Sequence, residues 1–320
     1  MGVLMLFLDG VGIGEEDQSV NPFFAADLPA LRSLGGGELP HLSRQTLRAK
    51  DSTVIPLDAT LGVEGLPQSG TGQTALFTGV NGAKIVGKHF GPYPYSTLRP
   101  IIKEKNIFRQ LMVAERSVYF ANAFPQRFFD YVNRRKSRMT VTTLSCTMSD
   151  VRLQRVEDLA SGRGISADIT NEGWPGLGYP EIKPIDPGEA GKRLAHLARQ
   201  YDFVLFEYWK TDHAGHSENL GEAIEVLQLF DRMLAGILEI LDTSQLLLFI
   251  TSDHGNIEDM STKVHTRNPV PAILYGHRHR VIAERFQSLT SHTGDLTDVT
   301  PILMEEITSR EYSVRVASAR

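Results

Sequence analysis

Apolar positions along the chain fall into two alternating kinds of run. Val3–Leu8, Ser117–Ala121, Phe203–Tyr208, Leu246–Thr251 and Ala272–Tyr275 are short, nearly continuous stretches of strand length. Between them lie stretches with helical spacing. From Glu222 to Leu241, the residues Ala223, Val226, Leu227, Phe230, Leu234, Ile237, Leu238 and Leu241 fall on one stripe. From Glu189 to Arg199, Ala190, Leu194 and Leu197 repeat in the same way. A strand without polar alternation must be covered on both faces, and amphipathic helices are what cover it. The pattern predicts an α/β fold: a doubly wound, mostly parallel sheet flanked by helices.

The middle third breaks this rhythm. From about residue 86 to 190 the chain is rich in Gly, Pro, Arg and aromatic residues, with a cationic cluster at Arg134, Arg135, Lys136 and Arg138 and a loop-like run from Trp174 to Pro180. Residues 1–320 are expected to form one core domain, with a small insertion or cap somewhere in 86–190.

Charge and cysteine content narrow the chemistry. Thirty-three Lys and Arg against 38 Asp and Glu give a formal charge of −5, so there is no overall basic field to gather nucleic acid or anionic lipid. The apolar run Val3–Leu8 is far short of the roughly 20 residues needed to span a bilayer. Its Met1-Gly2 lead-in lacks the cationic start of a signal peptide. These features lead us to expect a cytoplasmic protein without membrane or nucleic-acid partners. Cys146 is the single cysteine, which excludes intrachain disulfides and thiolate-rich zinc sites. A bound metal would have to be held by Asp, Glu and His.

Three familiar motifs fail. Gly10-Val11-Gly12-Ile13-Gly14 is followed by Glu15, where a dinucleotide loop would need glycine. Gly82 to Lys88 matches the spacing of a phosphate-binding loop, but His89 stands where Ser or Thr would hold magnesium. Pro67-Gln68-Ser69-Gly70-Thr71 is not a nucleophile elbow.

What remains is a set of metal-ligand types at strand ends. Asp9 closes the first strand. Asp212 and His216 follow Phe203–Tyr208, Asp253 and His254 follow Leu246–Thr251, and His265 lies eleven residues beyond His254. In a parallel sheet the carboxyl ends of the strands share one edge, where ligands bind. Three Asp and three His are thus expected on one rim. An Asp after a strand is more often a turn residue, but coincidence at three strand ends is harder to attribute to chance. Imidazole plus carboxylate without thiolate suits zinc, manganese or iron. Ala75-Leu76-Phe77 is expected to begin a short helix, with Gly70 and Gly72 letting the backbone approach closely before it. A hydroxyl such as Ser69 or Thr71 at a helix N-terminus is well placed to meet phosphate.

The ordered series of Asp9, the Ser69 helix, Asp212-x-x-x-His216, Asp253-His254 and His265 resembles the alkaline phosphatase superfamily of two-metal enzymes. The ten-residue interval from Ser69 to Gly79 and the segment Asp295-Leu296-Thr297-Asp298-Val299-Thr300-Pro301 add to the likeness. It covers roughly residues 1–85 and 195–305. The resemblance implies an alkaline-phosphatase-like core and two divalent ions, zinc or manganese. One ion would be held by Asp212, His216 and His265, the other by Asp253, His254, Asp9 and the Ser69 oxygen. It also implies that Ser69 is a nucleophile forming a phosphoseryl intermediate on a small phosphate ester. The outcome would be hydrolysis of a monoester or diester, with transfer within one substrate (a phosphomutase) as the alternative. A metal- and phosphate-binding domain without turnover is the non-enzymatic alternative. The Ser69 context lacks the Cys/Ser-x-Pro-x-Arg of sulfatases. Gln68-Ser69-Gly70 also departs from the Asn-Ser-Glu of phosphoglycerate mutases. For substrate contacts the sequence offers Lys88 and His89, just beyond the Ser69 helix, and Arg135 in the cationic cluster.

Overall fold

The structure is a computed structural model that describes residues 1–134, 137–288 and 294–309. Arg135 lies outside the described residues. Seven strands form one sheet: β1 (Gly2–Leu8), β2 (Leu47–Arg48), β3 (Ser52–Leu57), β4 (Val118–Phe120), β5 (Phe203–Tyr208), β6 (Leu246–Thr251) and β7 (Val270–Gly276). Their spatial order is β2-β3-β7-β6-β1-β5-β4. The neighbours β6, β1, β5 and β4 run parallel. β7 is antiparallel to β6, β3 to β7 and β2 to β3. The sheet is therefore mixed, with its parallel half centred on β1.

The unbroken apolar strands are explained by burial on both faces. Leu4, Leu6 and Leu8 of β1 point into one core cluster with Val204, Phe206, Leu248 and Ile250. Val3, Met5 and Phe7 point into the opposite one with Phe203, Leu205, Leu247 and Phe249. Such alternation follows from the two-residue period of a strand. The first cluster is capped by helices Pro187–Ala198 and Leu220–Ile240. The longer of these buries Leu227, Phe230, Leu234 and Ile237 completely, each contributing roughly 1.5–3 kcal/mol of transfer free energy. The second cluster is covered by helices that include Ser69–Thr78, Val141–Met148 and Val299–Thr308.

Strands β5 and β6 have the bounds the sequence predicts, and β4 is one residue shorter at each end. β3 carried no clear sequence signal. Its Ser52-Thr53-Val54-Ile55-Pro56-Leu57 includes a proline, which argues against a central strand. The pairing explains how it is tolerated: β2 bonds only to Val54 and Thr53, so Pro56 lies beyond its partner on an open edge.

Within the middle third, β4 is part of the main sheet. The stretch after it gathers around a separate small cluster of Ala123, Leu159, Trp174 and Ile182. Among the described residues no helix is long and apolar enough to cross a membrane.

Candidate metal centre

The three central parallel strands end side by side, and the acidic and histidine residues leave from those ends. Asp9 follows β1 directly. Asp212 sits in a short helix, Lys210–Gly215, just after β5, and Asp253 and His254 follow β6. The closeness of these segments restricts side chains. Gly10 has φ +70°, and a Cβ there would stand 2.5 Å from Asp212 Oδ1. A Cβ on Gly72 would stand 2.6 Å from the Asp253 carbonyl. Only glycine lets the Ser69 helix press against the β6 end this closely.

The resulting cluster is tight. His216 Nε2 lies 3.3 Å from Asp212 Oδ2, and His265 Nε2 lies 3.5 Å from Asp212 Oδ1. The two Nε2 atoms are 3.3 Å apart. Deeper in, His254 Nε2 stands 3.3 Å from Asp9 Oδ1 and 3.6 Å from Asp253 Oδ2. The rings of His254 and His265 stack at 3.9 Å, joining the two halves. Ser69, the first residue of its helix, directs Oγ to within 3.1 Å of His254 Nε2. Thr71 is engaged elsewhere: its Oγ1 donates to the Gln68 carbonyl and accepts from Phe90 N–H.

Among the described residues, two groups have ligand atoms close enough to share an ion: Asp212, His216 and His265, and separately Asp9, Asp212 and His254. Asp212 thus reaches both, while Asp253 contributes through its contact with His254. Several observations fit cations here. Each imidazole has Nδ1 next to a backbone carbonyl: His216 at Lys263 (2.7 Å), His265 at Pro67 (2.7 Å) and His254 at Gly255 (3.3 Å). Donation from Nδ1–H leaves the Nε2 lone pairs facing the centre, the arrangement of metal-ligating histidines with their outer-shell partners. Asp9 Oδ1 and Asp253 Oδ2 are buried without a well-aligned hydrogen bond, which is costly unless a cation faces them.

Electrostatics point the same way. Burial, reinforced by Asp253, holds Asp9 well above the usual carboxylate range, and burial raises Asp253 as well. Burial alone would lower His254, but Asp253 and Asp9 outweigh it and raise it to about 10. Burial, then the His254 charge, lowers His265 to about 4. So much buried carboxylate demands positive charge, which a proton on His254 supplies only in part.

Residues 186–311 match the family model described as the Metalloenzyme superfamily. That stretch, less than half of the chain, is similar to this superfamily. Its fold is similar to that of alkaline phosphatase from the Antarctic bacterium TAB5 (13% identity, 96% of this chain and 97% of that one, TM-score 0.53). It is also similar to the PH0037 protein from Pyrococcus horikoshii (15% identity, 97% of each chain, TM-score 0.55). In sequence, 133 residues are 35% identical to a 2,3-bisphosphoglycerate-independent phosphoglycerate mutase of Thiobacillus denitrificans, covering 39% of this chain and 24% of that protein. A mutase of the same name from Methanococcus aeolicus is 30% identical over 118 residues, 35% of this chain and 29% of that protein. The matches thus span only about a quarter of these curated relatives.

Several positioning residues around the cluster carry no motif of their own. Glu258 is 1% exposed and accepts from Gly12 N–H, Asn256 N–H, Thr266 Oγ1 and Asn268 Nδ2. It thereby ties the loop after β1 to the segments carrying His254 and His265. Asn256 donates from Nδ2 to Asp212 Oδ1 at 2.7 Å, and Thr211 Oγ1 donates to the Asp9 carbonyl at 2.5 Å. Their one sequence signal is nearness to Asp253-His254 and to Asp212. Of the expected substrate contacts, Lys88 is exposed. His89 turns its Nε2 to the Val63 carbonyl at 3.3 Å, and burial lowers its pKa.

Proposed function

We infer that this chain is a two-metal phosphohydrolase. It acts in the cytoplasm on a small phosphate monoester or diester through a phosphoseryl intermediate on Ser69. The observation that carries the reading is the position of Ser69: its hydroxyl starts a helix and lies 3.1 Å from His254 Nε2, within a cluster of three Asp and three His. Asp212, His216 and His265 would hold one ion, and Asp9, Asp253, His254 and the Ser69 oxygen the other, with Asp212 in reach of both. Zinc or manganese suits this donor set. Two such ions supply positive charge that makes the serine hydroxyl more acidic and offsets charge on the leaving oxygen.

The chain's own residues supply the rest. At the start of the Ser69 helix the Thr71 N–H is taken by the Phe90 carbonyl at 3.0 Å, so the Ser69 and Gly70 N–H groups, at the positive end of the helix dipole, are the ones to meet the phosphate. Ser69 Oγ bonds to phosphorus while the bond to the leaving oxygen breaks. The hydroxyl proton passes to solvent and the leaving oxygen takes one up. Water then cleaves the phosphoserine, releasing phosphate when the substrate is a monoester or a phosphomonoester when it is a diester, and restoring the hydroxyl. Asn256 and Glu258 hold the loops, and Thr71, tied to Gln68 and Phe90, keeps the helix start in place.

The alternative outcome is return of the phosphoryl group to a second hydroxyl of the same substrate. The relatives named as mutases favour it, at 30 to 35% identity over part of the chain. A screen of phosphate esters with the metal-loaded protein, read by free phosphate and by isomer analysis of the organic product, separates the two. Hydrolysis predicts alcohol formed in equal amount with free phosphate from a monoester, or with the phosphomonoester from a diester. A moved phosphoryl group without free phosphate would replace this reading by the mutase one, and no turnover of any ester would overturn both.

A further inference from the structure

Beside Asp9 opens a cavity of about 670 Å³, in the usual size range of small-molecule sites. Its walls come from the end of β5 and from the small cluster of the middle third. Phe124, Phe128, Tyr131, Trp174 and Trp209 line it, with Phe124 and Phe128 stacked at 4.1 Å. Trp209 is 44% exposed and Tyr131 38%, although large aromatics usually bury against something.

Most polar groups on the lining are engaged within the protein. Asn122 exchanges two hydrogen bonds with the Glu207 backbone. Ser166 Oγ accepts from Trp174 Nε1 at 2.7 Å, and Thr140 and Thr143 bond to each other. Glu207, 6% exposed, accepts from Thr142 Oγ1 through Oε2 at 2.6 Å. Its Oε1 makes no hydrogen bond among the described residues. The cavity therefore offers apolar aromatic walls, one open carboxyl oxygen on its floor and, through Asp9, continuity with the metal cluster. Arg127 and Arg134, both exposed, add positive charge to the lining.

We propose that this cavity receives the leaving group of the phosphate ester, and that this group is an aromatic alcohol bearing one hydrogen-bonding substituent for Glu207. The proposal rests on the phosphoryl-transfer reading above and names its substrate class. A short carboxylated, hydroxylated leaving group would lose hydration against these walls with few partners to replace it. A flat ring gains apolar burial and stacking.

The test uses a built-in probe: Trp174 and Trp209 are the chain's two tryptophans, and both line the cavity. The zinc-loaded protein is titrated with benzylphosphonate and with methylphosphonate while tryptophan fluorescence is followed. Benzylphosphonate is expected to give a saturable change and to bind about tenfold or more tightly than methylphosphonate, about 1.4 kcal/mol. Phe128→Ala, and independently the more exposed Tyr131→Ala, should each weaken benzylphosphonate several-fold. Equal affinity for the two phosphonates, or no saturable change with benzylphosphonate, would overturn the proposal. If aromatic binding holds while no ester is turned over, the cavity assignment stands and the phosphoryl-transfer reading fails. Turnover at the same rate with and without a ring on the leaving group would overturn the cavity assignment and leave phosphoryl transfer standing.

Discussion

Ser69 Oγ lies 3.1 Å from His254 Nε2, while the hydroxyl of Thr71, two residues on, is tied to the Gln68 carbonyl and Phe90 N–H. One hydroxyl faces the cluster and the other fastens the helix start. Ser69→Ala should therefore lower kcat/KM by about 10³-fold or more. Thr71→Val should act mainly on stability, by about 1 kcal/mol. Steady-state kinetics and thermal melts of both variants check the division. Comparable kinetic losses in the two would mean that the nucleophile is misassigned.

Asp212 reaches both ligand groups, so Asp212→Asn should disturb both ions. The expected loss of metal affinity exceeds the roughly 10–100-fold of an outer-shell change. Elemental analysis after dialysis against limiting zinc should give about two ions per wild-type chain and fewer than one in the variant. Full occupancy in the variant would remove Asp212 from the ligand set.

Glu258 receives four donors through two oxygens. In Glu258→Gln one oxygen becomes an NH₂ that faces donors it cannot accept from. A loss of roughly 2–4 kcal/mol is expected from the stranded buried groups, together with weaker metal binding. Denaturant unfolding measures the first effect, and a shift under about 0.5 kcal/mol would show that the loops do not depend on this residue.

Burial raises Glu207 from the ordinary 4.5 to about 7, against the opposing hydrogen bond from Thr142. Between these values the unfolded chain gives up the proton and the folded chain keeps it. Stability is therefore greatest below about pH 4.5 as far as this group is concerned, falls as pH rises towards 7, and is level above. The span corresponds to roughly 3 kcal/mol. In chelator-treated protein, where no bound cation adds its own field, Glu207→Gln should flatten this part of the stability profile. The wild-type minus variant difference across pH 4.5–7 is the measurement. A constant difference would contradict the shifted carboxyl.

How far the site was legible depends on how each residue is placed. Asp9, Asp212, Asp253 and His254 could be read because unbroken apolar runs mark β1, β5 and β6, and parallel strands bring their carboxyl ends to one rim. Ser69 could be read because a Gly-flanked hydroxyl before an apolar run marks a helix start. β3 was hidden by Pro56, which only its position beyond β2 makes acceptable. Glu258 and Asn256 act through backbone groups distant in sequence, so no spacing announces them. The aromatic cavity gathers residues from 124 to 209 around a small cluster of its own, and no local period records that convergence. Lys88 and His89 suggest substrate contacts because they follow the Ser69 helix, and the structure places His89 Nε2 against the Val63 carbonyl.

The central claim is that Ser69 carries the phosphoryl group during turnover. The metal-loaded protein is mixed with benzyl phosphate, quenched in acid within the first turnovers, digested and mapped by mass spectrometry. The account predicts one phosphoryl group, on the peptide containing Ser69 and localised to that residue, and none in Ser69→Ala. Turnover of the ester with no phosphorylated peptide, or with the group on Thr71, would contradict it.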